Sequence, residues 1–293
     1  MSTGTDSLAS LADLPGVPEA VAEVRKSVDR LYGHRVMRRR AAEVTSEAAL
    51  RGARASAALD GADWSLEEIR RRTDFGGDEQ ARTVGGALRI SADAGQLLGI
   101  WRHSPLQVLA RLHLLAVGDA DPSAGRPRRT GEDASPLFPI DLAASEGHEK
   151  PTEGVQLPPA PGADEAAASL DQLAQLLVAR AEGAKSATPA LVVAAVVHGE
   201  LLALRPFASH NGVIARAAQR IVLISEGLDP KAICPAEVGL AELGTAAYRD
   251  ALGGYLSGTG EGMARWIGHC GEALRLGVRE STAVCEAMQR GMV

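Results

Sequence analysis

The 293 residues, 45% of them apolar, are enough to bury a full hydrophobic core, which excludes a miniprotein held together by staples. A net charge of −6 speaks against wholesale nucleic-acid binding, because such binding draws on a basic footprint that neutralises phosphates. Cys234, Cys270 and Cys285 are odd in number and lack C-x-x-C spacing, so neither a disulfide framework nor a zinc site is indicated.

Met1 to Pro18 holds no basic region followed by an apolar run, and no later stretch approaches the roughly 18 uncharged residues of a membrane span. A soluble protein of the reducing cytoplasm, without membrane contact, is expected. Alanine and leucine dominate and aromatics make up only 3%, a composition that suits helix-on-helix packing and an all-α fold. After a loose start the apolar periodicity predicts helices over 18–32, 35–60, 66–73, 79–99 and 104–116. Further helices are predicted over 165–182, 189–204, 212–226, 243–257 and 261–290, with ends good to about two to four residues.

The first two of these are locally basic: Arg25, Lys26, Arg30, Arg35, Arg38, Arg39, Arg40, Arg51 and Arg54 all fall there. Such a run is either a solvated helix face or a surface for an acidic partner. From Gly118 to Gly162 the chain changes character, with Pro122, Pro127, Pro136, Pro139, Pro151, Pro158, Pro159 and Pro161 among many glycines. This is read as one long loop, with room for a short β-hairpin near Leu137 to Leu142.

Thr188-Pro189 is a good helix start, since threonine can cap an orphan N–H and proline at the first position gives up a donor that is unpaired anyway. The helix that follows is apolar on nearly every side and should be the buried central one. Arg205-Pro206 ends it, and Asn211-Gly212 opens the next, which closes at Gly227. The tight loop between them presents free N–H groups and the positive end of a helix, with Arg216 one turn further on. On physics alone this is either a phosphate-binding loop or an ordinary helix-loop-helix joint.

The stretch Arg205-Pro-Phe-Ala-Ser-His-Asn-Gly-Val-Ile-Ala-Arg216 resembles the Fic family signature, H-P-F-x-D/E-G-N-G-R-x-x-R, matching it at Pro206, Phe207, Asn211, Gly212 and Arg216. Pro189 and His198 upstream and Leu223 to Leu228 downstream agree with the signature's flanks. Leu109-Ala-Arg-Leu-His113 and Gly125-Arg-Pro-Arg128 resemble the helix and arginine before the family's target-docking flap, while Tyr248 and Trp266 echo its C-terminal helices. The resemblance runs from Phe75 to Ala273. It implies a Fic-like domain over 75–275, an N-terminal helical extension over 1–74 and a helix end over 276–293.

In that family the loop histidine takes a proton from a target hydroxyl, the acidic residue holds magnesium, and AMP passes from ATP to a protein side chain. Here the histidine position is Arg205, which has no acceptor and cannot be the base, though it can hold an anion. Ser209 replaces the carboxylate and is a poorer magnesium ligand; His210 replaces the first glycine and Val213 the first arginine. The resemblance therefore implies phosphate or nucleotide contacts at Arg205, Ser209, His210, Asn211, Gly212 and Arg216, with ATP or another nucleotide and Mg²⁺ as ligands. His210 is either a substitute base or a solvent-facing loop residue, and His198 is read as a buried, hydrogen-bonded core histidine.

Ser56-Ala-Ala-Leu-Asp60-Gly61 resembles the family's self-inhibitory motif, S/T-x-x-x-E-G/N, which implies that Asp60 pairs with Arg216. Helical spacing puts Ser56 and Asp60 on one face, Gly61 gives the stop, and Ser65-Leu-Glu-Glu68 is a capping box for the next helix. Three functions follow as expectations. They are a degenerate Fic-like nucleotide or phosphate binder with little or no AMP transfer, an active transferase with altered chemistry, and a non-enzymatic module that binds another protein.

Overall fold

The computed structural model describes residues 6–118, 121–145, 147, 155–183 and 188–292. Within them the chain forms a short 3₁₀ turn, Ala9–Asp13, and ten helices: α1 (Val17–Tyr32), α2 (Met37–Leu59), α3 (Leu66–Arg71), α4 (Glu79–Trp101), α5 (Pro105–Val117), α6 (Ala163–Glu182), α7 (Ala190–Leu204), α8 (Asn211–Ser225), α9 (Ala236–Leu256) and α10 (Gly260–Gln289). No strand occurs among the described residues, so the protein is all-α. No described helix is long and apolar enough to cross a membrane.

Helix α7 lies at the centre, with Leu191, Val192, Val193, Ala194, Val197, Leu201 and Leu202 all sealed from solvent. Burial on every side is the physical counterpart of its unbroken apolar sequence. It packs against α8, α10, α6 and α9, while α2 and α4 cover the other side of α8. Helices α9 and α10 pack along one another, and α1 lies on α10. The close approach of α9 and α10 depends on Gly239, where a Cβ would run into the Ala273 backbone. One contiguous apolar core joins residues of all ten helices.

Two expectations need correction. The hairpin near Leu137 to Leu142 does not form, because Pro136 and Pro139 have no N–H for a ladder and the segment bonds to the helical core instead. Arg128 N donates to Pro206 O at 2.8 Å, Ser135 N to Ala208 O at 2.8 Å, Ser145 N to Glu242 O at 2.8 Å, and Thr245 N to Leu142 O at 3.0 Å. Leu137 is buried and Phe138 meets the edge of Tyr248 at 5.1 Å. Pro151, part of the long loop read from the sequence, lies outside the described residues. Helix α9 starts at Ala236 rather than 243, and it kinks at Gly244, whose φ of 82° is left-handed. Gly239 and Gly244 lower the helical signal of that first segment, and packing against α10 restores it.

Candidate anion-binding site

Helix α7 ends because Pro206 cannot continue it, and Arg205 closes it in a left-handed conformation (φ 44°, ψ 63°). Phe207 turns into the core and stacks on His113 with ring centroids 4.3 Å apart. The Asn211 side chain then closes the loop on itself. Its Oδ1 accepts from Phe207 N at 3.0 Å and its Nδ2 donates to Phe207 O at 2.7 Å. This double bond to one residue is what shapes the turn between α7 and α8.

His210, the residue before α8, is also left-handed (φ 60°), a conformation that strains a non-glycine residue. Its Nδ1 shares a hydrogen bond with Ser209 Oγ at 2.8 Å. Burial lowers the affinity of His210 for a proton, so the ring is neutral at neutral pH. The amides of Ser209, His210, Asn211 and Gly212 donate to no group among the described residues, leaving the start of α8 as a cradle of free donors.

Below this cradle Arg216 is 2% exposed. Its Nε donates to Ser56 Oγ at 2.9 Å, and its Nη2 donates to Ser56 O at 3.0 Å and to Asp60 Oδ1 at 2.7 Å. Burial pulls the guanidinium down, but Asp60 and the Tyr248 hydroxyl outweigh it and hold it more firmly protonated than usual. Asp60 sits at the end of α2, where Gly61, with φ 101°, turns the chain away. A Cβ at Gly212 would come within 2.8 Å of Asp60 Oδ1 and 3.0 Å of Arg216 Nη1, so only glycine lets the pair lie directly against α8. The structure thus brings Ser56, Asp60, Gly61, Asn211, Gly212 and Arg216 into one place, with Ser209 and His210 just above.

Arg205 is placed differently. Its Nη2 donates to Pro158 O at 2.7 Å, on the segment that leads into α6. Arg128, silent in the sequence beyond its position before the flap, sets this corner. It donates through Nε to Arg205 O at 2.7 Å, and through Nη2 to Leu204 O at 3.2 Å and Pro161 O at 3.0 Å. Burial, then the neighbouring charge of Arg128, lowers the Arg205 pKa. His198 takes the core role expected of it: it is fully buried, with Nε2 2.5 Å from Tyr248 Oη and the Trp266 ring at 5.1 Å. Tyr248 links His198 to Arg216; in the sequence only the family resemblance marked it, because it and Tyr255 are the two aromatics of an Ala- and Gly-rich helix.

Ser209 Oγ faces the His210 ring, and no group of three or more His, Cys, Asp or Glu side chains suited to a metal occurs among the described residues. The free amides and Arg216 fit a phosphate group; the side chains alone do not form a site for a hard divalent cation, which wants several oxygen ligands.

The order of buried α7, tight loop and α8, wrapped by helices on both sides, is that of the Fic fold. A Fic family protein from Desulfovibrio desulfuricans superposes with a TM-score of 0.69 at 21% identity, over 92% of this chain and 75% of that one. Residues 134–508 of Fic-1 from C. elegans give 0.64 at 16%, over 92% and 73%. A Fic domain containing signaling protein from Bacteroides thetaiotaomicron gives 0.58 at 11%, over 92% and 97%. No protein-family model and no curated protein matches the sequence.

Proposed function

We propose that the protein binds the phosphates of a nucleotide at the start of α8, with little or no AMP transfer, and that Asp60 competes with them for Arg216. The observation that carries this reading is the Asp60–Arg216 pair: a buried guanidinium at the foot of four free amides, already holding an anion supplied by the chain itself. Arg205 in place of a histidine supports the lack of transfer, because a guanidinium accepts no proton and this one is bonded to Pro158 O. Arg216 would hold a distal phosphate, and the amides of Ser209 to Gly212 the inner ones.

Calorimetry with ATP and magnesium tests it. Asp60→Ala should bind about tenfold more tightly than the wild type, and Arg216→Ala should lose binding. In the same tubes, ATP labelled at the α-phosphate should leave no label on protein. Equal binding by all three proteins would refute the role of the pair.

A second reading has one observation in its favour. His210 is neutral and already hydrogen-bonded to a hydroxyl, as a general base must be. Label transfer that disappears in His210→Ala would establish a transferase with relocated chemistry.

A further inference from the structure

The basic residues of the first two helices divide sharply once their partners are seen. Arg51 pairs with Glu47 and Glu280, Arg54 with Asp63, and Arg40 with Glu43. Arg30, Arg35, Arg38 and Arg39 are exposed, and their side chains meet no acceptor among the described residues. All four lie at the corner where α1 hands over to α2. Lys231, also exposed, is brought to the same corner from a distant turn: its N–H donates to Tyr32 Oη at 2.9 Å and its carbonyl accepts from Thr45 Oγ at 3.0 Å. The acids nearby are Asp29, exposed on α1; Glu43, engaged by Arg40; and Asp229, buried and engaged by Tyr32 and two backbone N–H groups.

Arg30 suits the last turn of α1, where the helix dipole favours a cation, but folding gives no reason for the rest of the cluster. Helix α2 begins with no side-chain cap and no acid in its first turn, and Arg38 and Arg39 stand where the helix dipole favours carboxylates. A local rule broken without a compensating contact points to a use outside the fold.

We propose that this corner is a docking surface for a carboxylate-rich segment of a partner protein. Three features select that occupant. The guanidinium groups suit bidentate carboxylates. The cluster is short and the chain as a whole carries −6, so a long polyanion such as duplex DNA would overlap acidic surface beyond the screening distance of about 8 Å, whereas a short acidic segment need not. A membrane surface would be gripped by several apolar side chains, and of the large exposed apolar residues described, Ile100 and Met292, only Met292 follows the end of α10 that Arg40 touches at the Met288 carbonyl.

The test is fluorescence anisotropy with a labelled ten-residue glutamate peptide, run against a DNA duplex of about 20 base pairs and phosphatidylserine vesicles as rival probes. The peptide should bind the wild type, less well as salt rises. Binding should weaken about tenfold in Arg35→Glu/Arg38→Glu/Arg39→Glu, and by a smaller factor in the matching glutamine variant, which removes attraction without adding repulsion. Reversal of three exposed arginines elsewhere, Arg71→Glu/Arg82→Glu/Arg102→Glu, should change it less than about twofold. No binding to the wild type, equal loss in both reversals, or tighter binding to DNA or vesicles would overturn the proposal.

Discussion

At Arg205 the backbone is strained and the side chain is turned onto a backbone carbonyl. The left-handed φ of 44° is imposed by the turn into Pro206, so arginine and alanine bear it alike, and Arg205→Ala isolates the guanidinium. That group is half-buried and donates to Pro158 O. Its loss should speed hydrogen exchange at the amides within 156–161, those of Gln156, Leu157 and Ala160, and cost no more than about 1 kcal/mol of global stability in urea denaturation. Arg128 holds the neighbouring Pro161 carbonyl and, through its links to Leu204 and Arg205, the end of α7 itself. An Arg205→Ala protein with unchanged exchange over 156–161 would show that Arg128 alone anchors the segment. The motif spacing makes Asn211, Gly212, Arg216 and Asp60 legible in the sequence, since each acts within one helix turn of its neighbours or repeats a known pattern. The Arg128–Arg205–Pro158 corner is illegible for the opposite reason. It joins residues 47 and 77 positions apart through backbone carbonyls, which leave no mark on side-chain choice.

Helices were legible where one face is apolar, as in α1, where Val17, Val24, Val28 and Leu31 alone turn inward. The segment before Gly244 was not, because its helical form is fixed by contact with α10 rather than by its own propensity. The loop at 121–145 likewise takes its course from acceptors offered by Pro206, Ala208 and Glu242, so a local reading suggests a hairpin that tertiary contacts replace. Helix α2 allows a measurement at this scale. Its first turn bonds in the 3₁₀ pattern, Arg38 N to Arg35 O and Arg39 N to Val36 O, before a break at Arg40. Replacing Arg38 and Arg39 by glutamate should raise stability by about 0.3–1 kcal/mol per site at low ionic strength, read from the urea midpoint, and the gain should shrink in salt. A loss of stability would mean that the two arginines serve the fold after all.

Across the whole molecule the charge that matters most for stability is one the core refuses to carry. His113 and His198 are fully buried on α5 and α7, His269 is partly buried on α10, and loss of solvent is the leading cause that keeps each neutral. For His113 the pKa falls to about 4, with His210 adding to the effect, and for His269 it also falls to about 4, against the ordinary 6.5. The His198 value lies well below normal, burial first and the Arg216 charge second. Above pH 6.5 the folded and unfolded chains are both neutral at these sites, and the burial does not make stability depend on pH. As pH falls below 6.5 the unfolded chain takes up three protons that the folded chain does not, so stability must fall, until His113 and His269 begin to titrate in the folded chain near pH 4. Each such proton contributes a slope of about 1.4 kcal/mol per pH unit, so three histidines titrating in this window give up to about 4. Urea denaturation at pH 7, 6 and 5 should therefore show a steep loss that begins well before carboxylates protonate. His269 stacks on Tyr248 and Trp266, so His269→Phe keeps a ring in that stack while removing one proton site. It should flatten the slope by about a third between pH 6 and 5. A slope identical to wild type would mean that His269 is protonated in the folded protein, and that the aromatic cluster around α7 holds a charge its geometry gives it no means to satisfy.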